Sequence, residues 1–482
     1  MNMEYTHELD RLFYPKSIAV VGATPKDKDV GSGNMFIEGA FEQKFKGIIY
    51  PIHPNADSIL GFKAYPSVRD VPGEVDLVIL SIPLKFVLPV MADCVARGVK
   101  FVHMFTAGFS ETGRAETAEI EQEILAVARK NGIRIIGPNC MGVYCPEGGI
   151  SFQGYFPSKP GPVGFVSQSG SIVNGFVEKG VNQGLNFSKI VSFGNAGDLQ
   201  PQDFLAYLGQ DPKTEVIGSY IEGLKDGRAF LETAKTLTRK KPLVVMKGGQ
   251  TEGGTRAILT HTASMAGSPK IWHALCEQSG IIPVNSTDEM ILTLAALQRM
   301  PKPEGLKAAI FGEFGGGSVL MTDVAEKEGL KVPRLSEDTI QRLEEFMPQE
   351  GQSVKNPLDA GMALFSSFHF TKLMEVLRDD PVIDILVFVQ QLGFFTRRGS
   401  GRSGLRRLKE MTMEAKEKFN KPIFLVLNLD ESPGITAMRQ ELQEGYHQAG
   451  LATFPSFEMA ARVCVNLYRY GEYLARTDES SE

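Results

Sequence analysis

Ser17-Ile18-Ala19-Val20-Val21-Gly22-Ala23-Thr24 is an apolar run that stops in three small residues. A run apolar at successive positions has no polar face. As a strand it must be covered on both sides, the condition of a parallel sheet sandwiched by helices. Runs of the same kind recur at 47–50 (GIIY), 77–80 (LVIL), 101–105 (FVHMF) and 133–136 (IRII), most with Gly or Pro close by. Between the last two, Ile120, Ile124 and Val127 share one helical face within 116–130, and Asn131-Gly132 supplies a stop. This alternation predicts a doubly wound α/β domain of about 145 residues.

The pattern continues outward. Pro157-Ser158-Lys159-Pro160-Gly161-Pro162 reads as a boundary. A second α/β series follows at 163–167, 189–193, 216–220, 243–247 and 281–284, closed by Met300-Pro301-Lys302-Pro303-Glu304-Gly305. A third runs through 308–312, 385–390 and 423–427, and the acidic tail 477–482 is expected to fray. The expected domains are 1–150, 160–298 and 304–476. The second and third share an ordered set of signals: a small-residue turn (Ser167–Ser171; Phe314–Ser318), an Asp-Pro (Asp211-Pro212; Asp380-Pro381) and a Lys-Pro before a strand (Lys241-Pro242; Lys421-Pro422). We read them as related units.

With 482 residues, 43% hydrophobic and 22% charged, the chain is long enough for three cores and is not disordered throughout. A net charge of −6 argues against a nucleic-acid surface or a polybasic membrane patch. No apolar run is long enough to span a bilayer, and residues 1–16 lack the apolar centre of a signal peptide. Five cysteines, an odd and sparse set, fit a reducing cytoplasm and buried thiols.

Four passages could carry chemistry. Gly22-Ala23-Thr24 ends the first strand where α/β domains hold a phosphate, but G-x-G-x-x-G is absent and no acid ends the second strand, Tyr50-Pro51-Ile52-His53-Pro54-Asn55. A nucleotide-containing cofactor fits; NAD is disfavoured, and there is no P-loop. Ser167-Gln168-Ser169-Gly170-Ser171 is either a nucleophilic elbow, for which the required glycine is missing, or a cradle for an oxyanion, which we prefer. Gly315-Gly316-Gly317-Ser318 has the same chemistry. Finally, Gly248, Gly249, Gly253 and Gly254 suggest a mobile loop leading to His261, a histidine among small residues that suits a ring that must be reached. No paired Cys or His spacing points to a metal.

The motifs AVVGAT, GIIYPIHPN, YPS, VDLVILSIP, TAGFSETG, GPNCMG, FVSQSGS, SFGNAGD, YIEG, KPLVVMKGG, THTASMAG and KNPLDAG, in that order, resemble the α subunit of NDP-forming acyl-CoA synthetases (acetate–CoA ligase, ADP-forming), relatives of succinyl-CoA synthetase. The resemblance covers residues 10–465. It implies a Rossmann-like CoA-binding domain followed by two flavodoxin-like CoA-ligase domains. It implies CoA contacts at Gly22, Ala23, Thr24, Pro54, Asn55, Ser81, Ile82, Pro83, Thr106, Ala107 and Gly108. It makes His261 the phosphohistidine and Glu222 the acid that supports it. Ser169, Gly170 and Ser171, with Gly315, Gly316 and Gly317, become the helix starts facing the phosphate. The implied reaction interconverts acyl-CoA, NDP and phosphate with carboxylate, CoA and NTP. A separate ATP-grasp β subunit, in an α2β2 heterotetramer, would bind ADP/ATP or GDP/GTP and Mg²⁺. Counting from each Asp-Pro pairs Glu222 with Gln391, so the third domain is expected to have kept a cradle and lost the nucleophile. Two departures stand out: Ala263 where the family has Gly, which stiffens the loop, and Glu313 beside the third-domain cradle, expected to point away. Rival readings are a non-catalytic CoA-binding scaffold or regulatory subunit, and a serine hydrolase using Ser169 and His261.

Overall fold

The apolar runs become the strands of three sheets. The structure, a computed structural model, describes residues 6–25, 33–262, 267–312, 317–347, 353–361, 363–393, 401–419, 421–428 and 433–479. The chain forms two compact units, Met1–Met290 and Ile291–Glu482. In the first unit, β1 (Ser17–Val21), β2 (Ile48–Ile52), β5 (Leu77–Leu80), β6 (Phe101–Met104) and β7 (Arg134–Ile136) form a parallel sheet in the order β2-β1-β5-β6-β7. β3 (Ser58–Ile59) and β4 (Phe62–Lys63) pair as a small hairpin beside it. Every residue of β1, β5 and β6 is buried, as continuous apolar runs require.

The second sheet has the order β13-β12-β11-β9-β10-β8, with β8 (Gly142–Tyr144), β9 (Pro160–Ser167), β10 (Phe187–Ser192), β11 (Val216–Ile221), β12 (Leu243–Lys247) and β13 (Ile282–Val284). Only β8 is antiparallel there, lying against β10. It directly follows the first sheet in sequence, so the two sheets are stitched by one short edge strand. β9 starts inside the proline passage read as a boundary. Proline is tolerated at a strand's beginning, and Glu215 N–H still donates to Pro162 O.

The second unit holds β14 (Ala308–Gly312), β15 (Leu358–Asp359), β16 (Ile385–Gln391), β17 (Ile423–Asn428) and β18 (Thr453–Phe454), parallel in the order β15-β14-β16-β17-β18. Numbered along each parallel series, all three sheets read 2-1-3-4-5, the flavodoxin-type doubly wound order, the first sheet included. The α/β expectation therefore holds, with this strand order in the CoA-type sheet as well. The two related units also share a detail. Asp211 and Asp380 end helices Pro201–Gln210 and Ser367–Asp379, and each Asp carbonyl accepts from the lysine of the Lys-Pro, Lys241 and Lys421 Nζ, both at 2.6 Å. Of the acidic tail 477–482, helix Phe457–Glu479 takes in the first three residues, and 480–482 lie outside the described residues. Among the described residues no helix is long and apolar enough to cross a membrane.

Candidate active site

A 2-1-3 strand order sends the connections on either side of strand 1 in opposite directions and opens a crevice at its carboxyl end. In the first sheet that edge carries the turns after β1 (Gly22, Ala23, Thr24), β2 (Pro54, Asn55), β5 (Ser81, Ile82, Pro83) and β6 (Thr106, Ala107, Gly108), every CoA-contact position expected from the sequence. Gly22 has φ +98°, and a Cβ there would lie 2.1 Å from Ser81 O, so the β1 and β5 turns pass too close for any side chain. Thr24 and Asn34 exchange two hydrogen bonds, Thr24 N–H to Asn34 Oδ1 (2.9 Å) and Asn34 Nδ2 to Thr24 O (3.0 Å). This pins the turn to helix Asn34–Glu42. Ala23 is fully buried, while Pro54 and Asn55 are exposed. The Thr106 hydroxyl donates to Ile82 O at 2.7 Å, tying the β5 turn to the β6 turn.

In the second sheet the crevice lies between the ends of β9 and β11. There Ser169 caps helix Gly170–Asn182, its Oγ accepting from Ile172 N–H and lying 3.0 Å from Ser171 Oγ. A serine engaged as a helix cap suits the cradle reading better than the nucleophile reading. Glu222 sits just beyond β11, 6% exposed. Its Oε1 accepts from Tyr220 OH (3.2 Å), its N–H donates to Gln168 Oε1 (2.8 Å), and its carbonyl accepts from Lys247 Nζ (2.6 Å). Its Oε2 is buried with no partner among the described residues. Burial lowers the Lys247 pKa, against the pull of the Glu222 charge. Burial and the same charge raise the Tyr220 phenol, keeping it a donor.

The two crevices form one cleft of about 580 Å³, lined from the first sheet by Ser81–Pro83 and Phe105–Ala107 and from the second by Gln168–Ser171, Gly194 and Asn195, with Asn139–Met141 between them. Ser81, Ile82, Pro83, Thr106 and Ala107 thus meet Ser169, Gly170 and Ser171. Gly22, Ala23, Thr24, Pro54, Asn55 and Gly108 are not in its lining. The walls are knitted by Asn139 N–H to Thr106 O (3.0 Å) and Asn195 N–H to Pro138 O (3.0 Å). Glu111 bridges them too: it accepts from Gly108 N–H (2.6 Å) and from Asn195 Nδ2 (2.6 Å). His103 is fully buried, its Nε2 3.1 Å from Cys140 O; burial lowers its pKa to about 4, so the ring is neutral and donates. Met141, Asn195, Glu111 and Gln168 escaped the sequence reading as site residues.

The glycine stretch is not wholly a loop. Helix Glu252–Thr262 begins within it, and Thr251 Oγ1 accepts from Gly254 N–H. A glycine in a first helical turn costs little when a cap satisfies the free N–H groups. The helix runs against Ser110–Thr112, with Gly248 and Gly249 joining it to β12 beside Glu222. His261 lies in its last turn; the His261 side chain and residues 263–266, Ala263 included, lie outside the described residues. So do Glu313, Gly315 and Gly316; Gly317 opens helix Gly317–Glu328 in the second unit. Gln391 ends β16 of that unit, as Glu222 follows β11 of the first. All five cysteines are buried and unbridged, Cys140 in the cleft wall. Among the described residues no group of three His, Cys, Asp or Glu is placed to hold a metal.

Two family models match: a CoA binding domain over residues 16–146 and a succinyl-CoA ligase like flavodoxin domain over 160–297. The sheet edge and the cleft described above lie in these two regions, so the first unit combines a CoA-binding module with a ligase module. The chain is 40% identical to acetate–CoA ligase [ADP-forming] II subunit alpha of Pyrococcus furiosus, over 79% of this chain and 82% of that one. It is 34% identical to subunit alpha of ligase I from the same organism, over 98% and 99%. It spans little more than half of two longer Archaeoglobus fulgidus ligases. A solved structure, Ca. Korarchaeum cryptofilum dinucleotide forming acetyl-coenzyme A synthetase 1 in complex with phosphate and ADP, superposes with a TM-score of 0.83 at 31% identity, covering 98% of each chain. The chain belongs to the family of ADP-forming acetate–CoA ligase α subunits, acyl-CoA synthetases of the NDP-forming kind.

Proposed function

We propose that this chain carries the CoA-ester half of the reaction and the phosphoryl relay, in domains 1–150, 160–298 and 304–476. CoA lies along the carboxyl edge of the first sheet, at the turns from Gly22–Thr24 to Thr106–Gly108. Its thioester enters the cleft, and phosphate rests at Ser169, Gly170 and Ser171. A phosphate oxygen attacks the thioester carbonyl carbon, the C–S bond breaks, and CoA leaves as thiolate with an acyl phosphate formed. An imidazole nitrogen of His261 then takes the phosphoryl group, releasing the carboxylate, and later yields it to NDP. Helix N-termini stabilise the phosphate charge throughout. Gly317, with Gly315 and Gly316, forms the second cradle.

The observation that carries this reading is Glu222 Oε2. It is a buried carboxylate oxygen with no partner among the described residues, at the end of β11 and beside the Gly248-Gly249 link to the His261 helix. A buried acceptor left unpaired is costly, and an imidazole N–H would satisfy it. The arrangement favours a catalytic chain over a scaffold. The relatives named as α subunits support a separate partner. We assign it as an ATP-grasp β subunit in an α2β2 assembly of the cytoplasm, holding the nucleotide and Mg²⁺. Exposing the two-subunit enzyme to γ-labelled ATP tests the reading: the α chain should gain a label that is acid-labile and base-stable, and a serine-type, acid-stable label would overturn it.

A further inference from the structure

Gln168 lies in the turn from β9 to helix Gly170–Asn182 and is 7% exposed, yet it lines the cleft. Its carboxamide orientation is fixed by chemistry rather than by choice. Glu222 N–H and Gly223 N–H both point at one terminal atom, at 2.8 and 3.2 Å. Two donors can face only an acceptor, so that atom is Oε1 and the other is the NH₂. The backbone of Gln168 is held as well, its N–H donating to Tyr220 O at 3.0 Å. The side chain is therefore clamped at one end, and its Nε2 has no partner among the described residues. An amide donor left unpaired on a residue that is otherwise 93% buried, open to the cleft and beside a helix start that is itself rich in donors, marks a place for an anion.

We infer that Gln168 is a catalytic residue whose Nε2 donates to the tetrahedral oxyanion in the cleft, inorganic phosphate before attack and the phosphoryl oxygens of the acyl phosphate after it. The same side chain holds Glu222 N–H through its Oε1, so one rigid amide spans the anion and the backbone of the supporting acid. Anion and acid then keep a fixed separation while the phosphoryl group passes to His261. The inference rests on the proposed function above and adds a substrate contact to it.

Gln168→Glu separates a contact from a scaffold. A glutamate of the same shape still accepts from Glu222 and Gly223 N–H, so the fold is kept, but an oxygen replaces the NH₂ and turns attraction into repulsion. In the two-subunit enzyme the KM for phosphate should rise about tenfold to a hundredfold, with CoA affinity and Tm unchanged. A second measurement needs no variant. Tungstate, a phosphate mimic located by its anomalous scattering, should sit in crystals of the wild-type enzyme within hydrogen-bond distance of Gln168 Nε2, about 3 Å. A wild-type phosphate KM in folded Gln168→Glu, or tungstate at Ser169–Ser171 beyond reach of Nε2, overturns this inference and leaves the proposed function standing. Tungstate absent from the cleft altogether overturns both.

Discussion

Glu222→Gln removes a charge while sparing the shape. The amide can keep its oxygen toward Tyr220 OH, and the Gln168 and Lys247 bonds go to Glu222 main-chain atoms, so they survive. What changes is the atom now left unpaired, Oε2. It would become an NH₂ facing an imidazole N–H, donor against donor, with no negative charge to support the ring as it gains positive character. A carboxylate and an imidazolium about 4 Å apart attract by about 4 kcal/mol at an effective dielectric of about 20. At about 1.4 kcal/mol per factor of ten, the loss is on the order of 10³ in the rate of histidine phosphorylation. The assay is rapid quench of the two-subunit enzyme with labelled ATP, followed through the base-stable label on this chain. Calorimetry should show CoA affinity unchanged, because Glu222 is not in the CoA-side wall. Equal labelling rates in variant and wild type would refute the reasoning and take Glu222 out of the mechanism.

Thr106→Val deletes the hydroxyl that ties the β6 turn to Ile82 O, and CoA affinity should fall about threefold to tenfold by calorimetry; unchanged affinity would remove these turns from the CoA site. His103 gives a pH dependence. Its folded pKa of about 4 lies below the ordinary value near 6.5, so below pH 6.5 the unfolded chain takes up a proton that the folded chain refuses. Stability therefore falls as the pH drops from about 6.5 toward 4, by about 2 kcal/mol from this group between pH 7 and 5. Urea midpoints at the two pH values should differ less in His103→Gln by that amount; an equal pH effect in both proteins would show that the ring is not the source.

The strands were legible because burial on both faces leaves unbroken apolar runs: 17–21, 77–80, 243–247 and 308–312 coincide with β1, β5, β12 and β14. The serine cap of helix Gly170–Asn182 was legible because a cap and its helix are neighbours in sequence. The rest of the cleft was not. Asn139–Met141, Asn195 and Glu111 are brought together by backbone bonds and by the Asn195–Glu111 side-chain bond across separate turns, and no local pattern records such pairings. β8 has three residues, too few to show a period, yet it joins the two sheets of the first unit. The helix carrying His261 was hidden because four glycines outweigh one threonine cap in any propensity sum, whereas in the chain the cap and the contact with Ser110–Thr112 decide. Gln168 was quoted inside its motif but passed over, since its role depends on which end of its amide Glu222 occupies.

The central claim is that His261 carries the phosphoryl group, and His261→Ala tests it most directly. Wild type and variant, each with the partner subunit, are incubated with acyl-CoA, NDP and labelled phosphate, and protein-bound label, acyl phosphate and NTP are assayed. The neighbouring hydroxyls in sequence, Thr260, Thr262 and Ser264, form phosphate esters too stable to return the group quickly, so none of them can substitute. The account predicts that the variant still releases CoA in a phosphate-dependent step, because that step needs the cradle and not the ring, while protein-bound label and NTP disappear. Label on the variant chain, or NTP made at the wild-type rate, would contradict it.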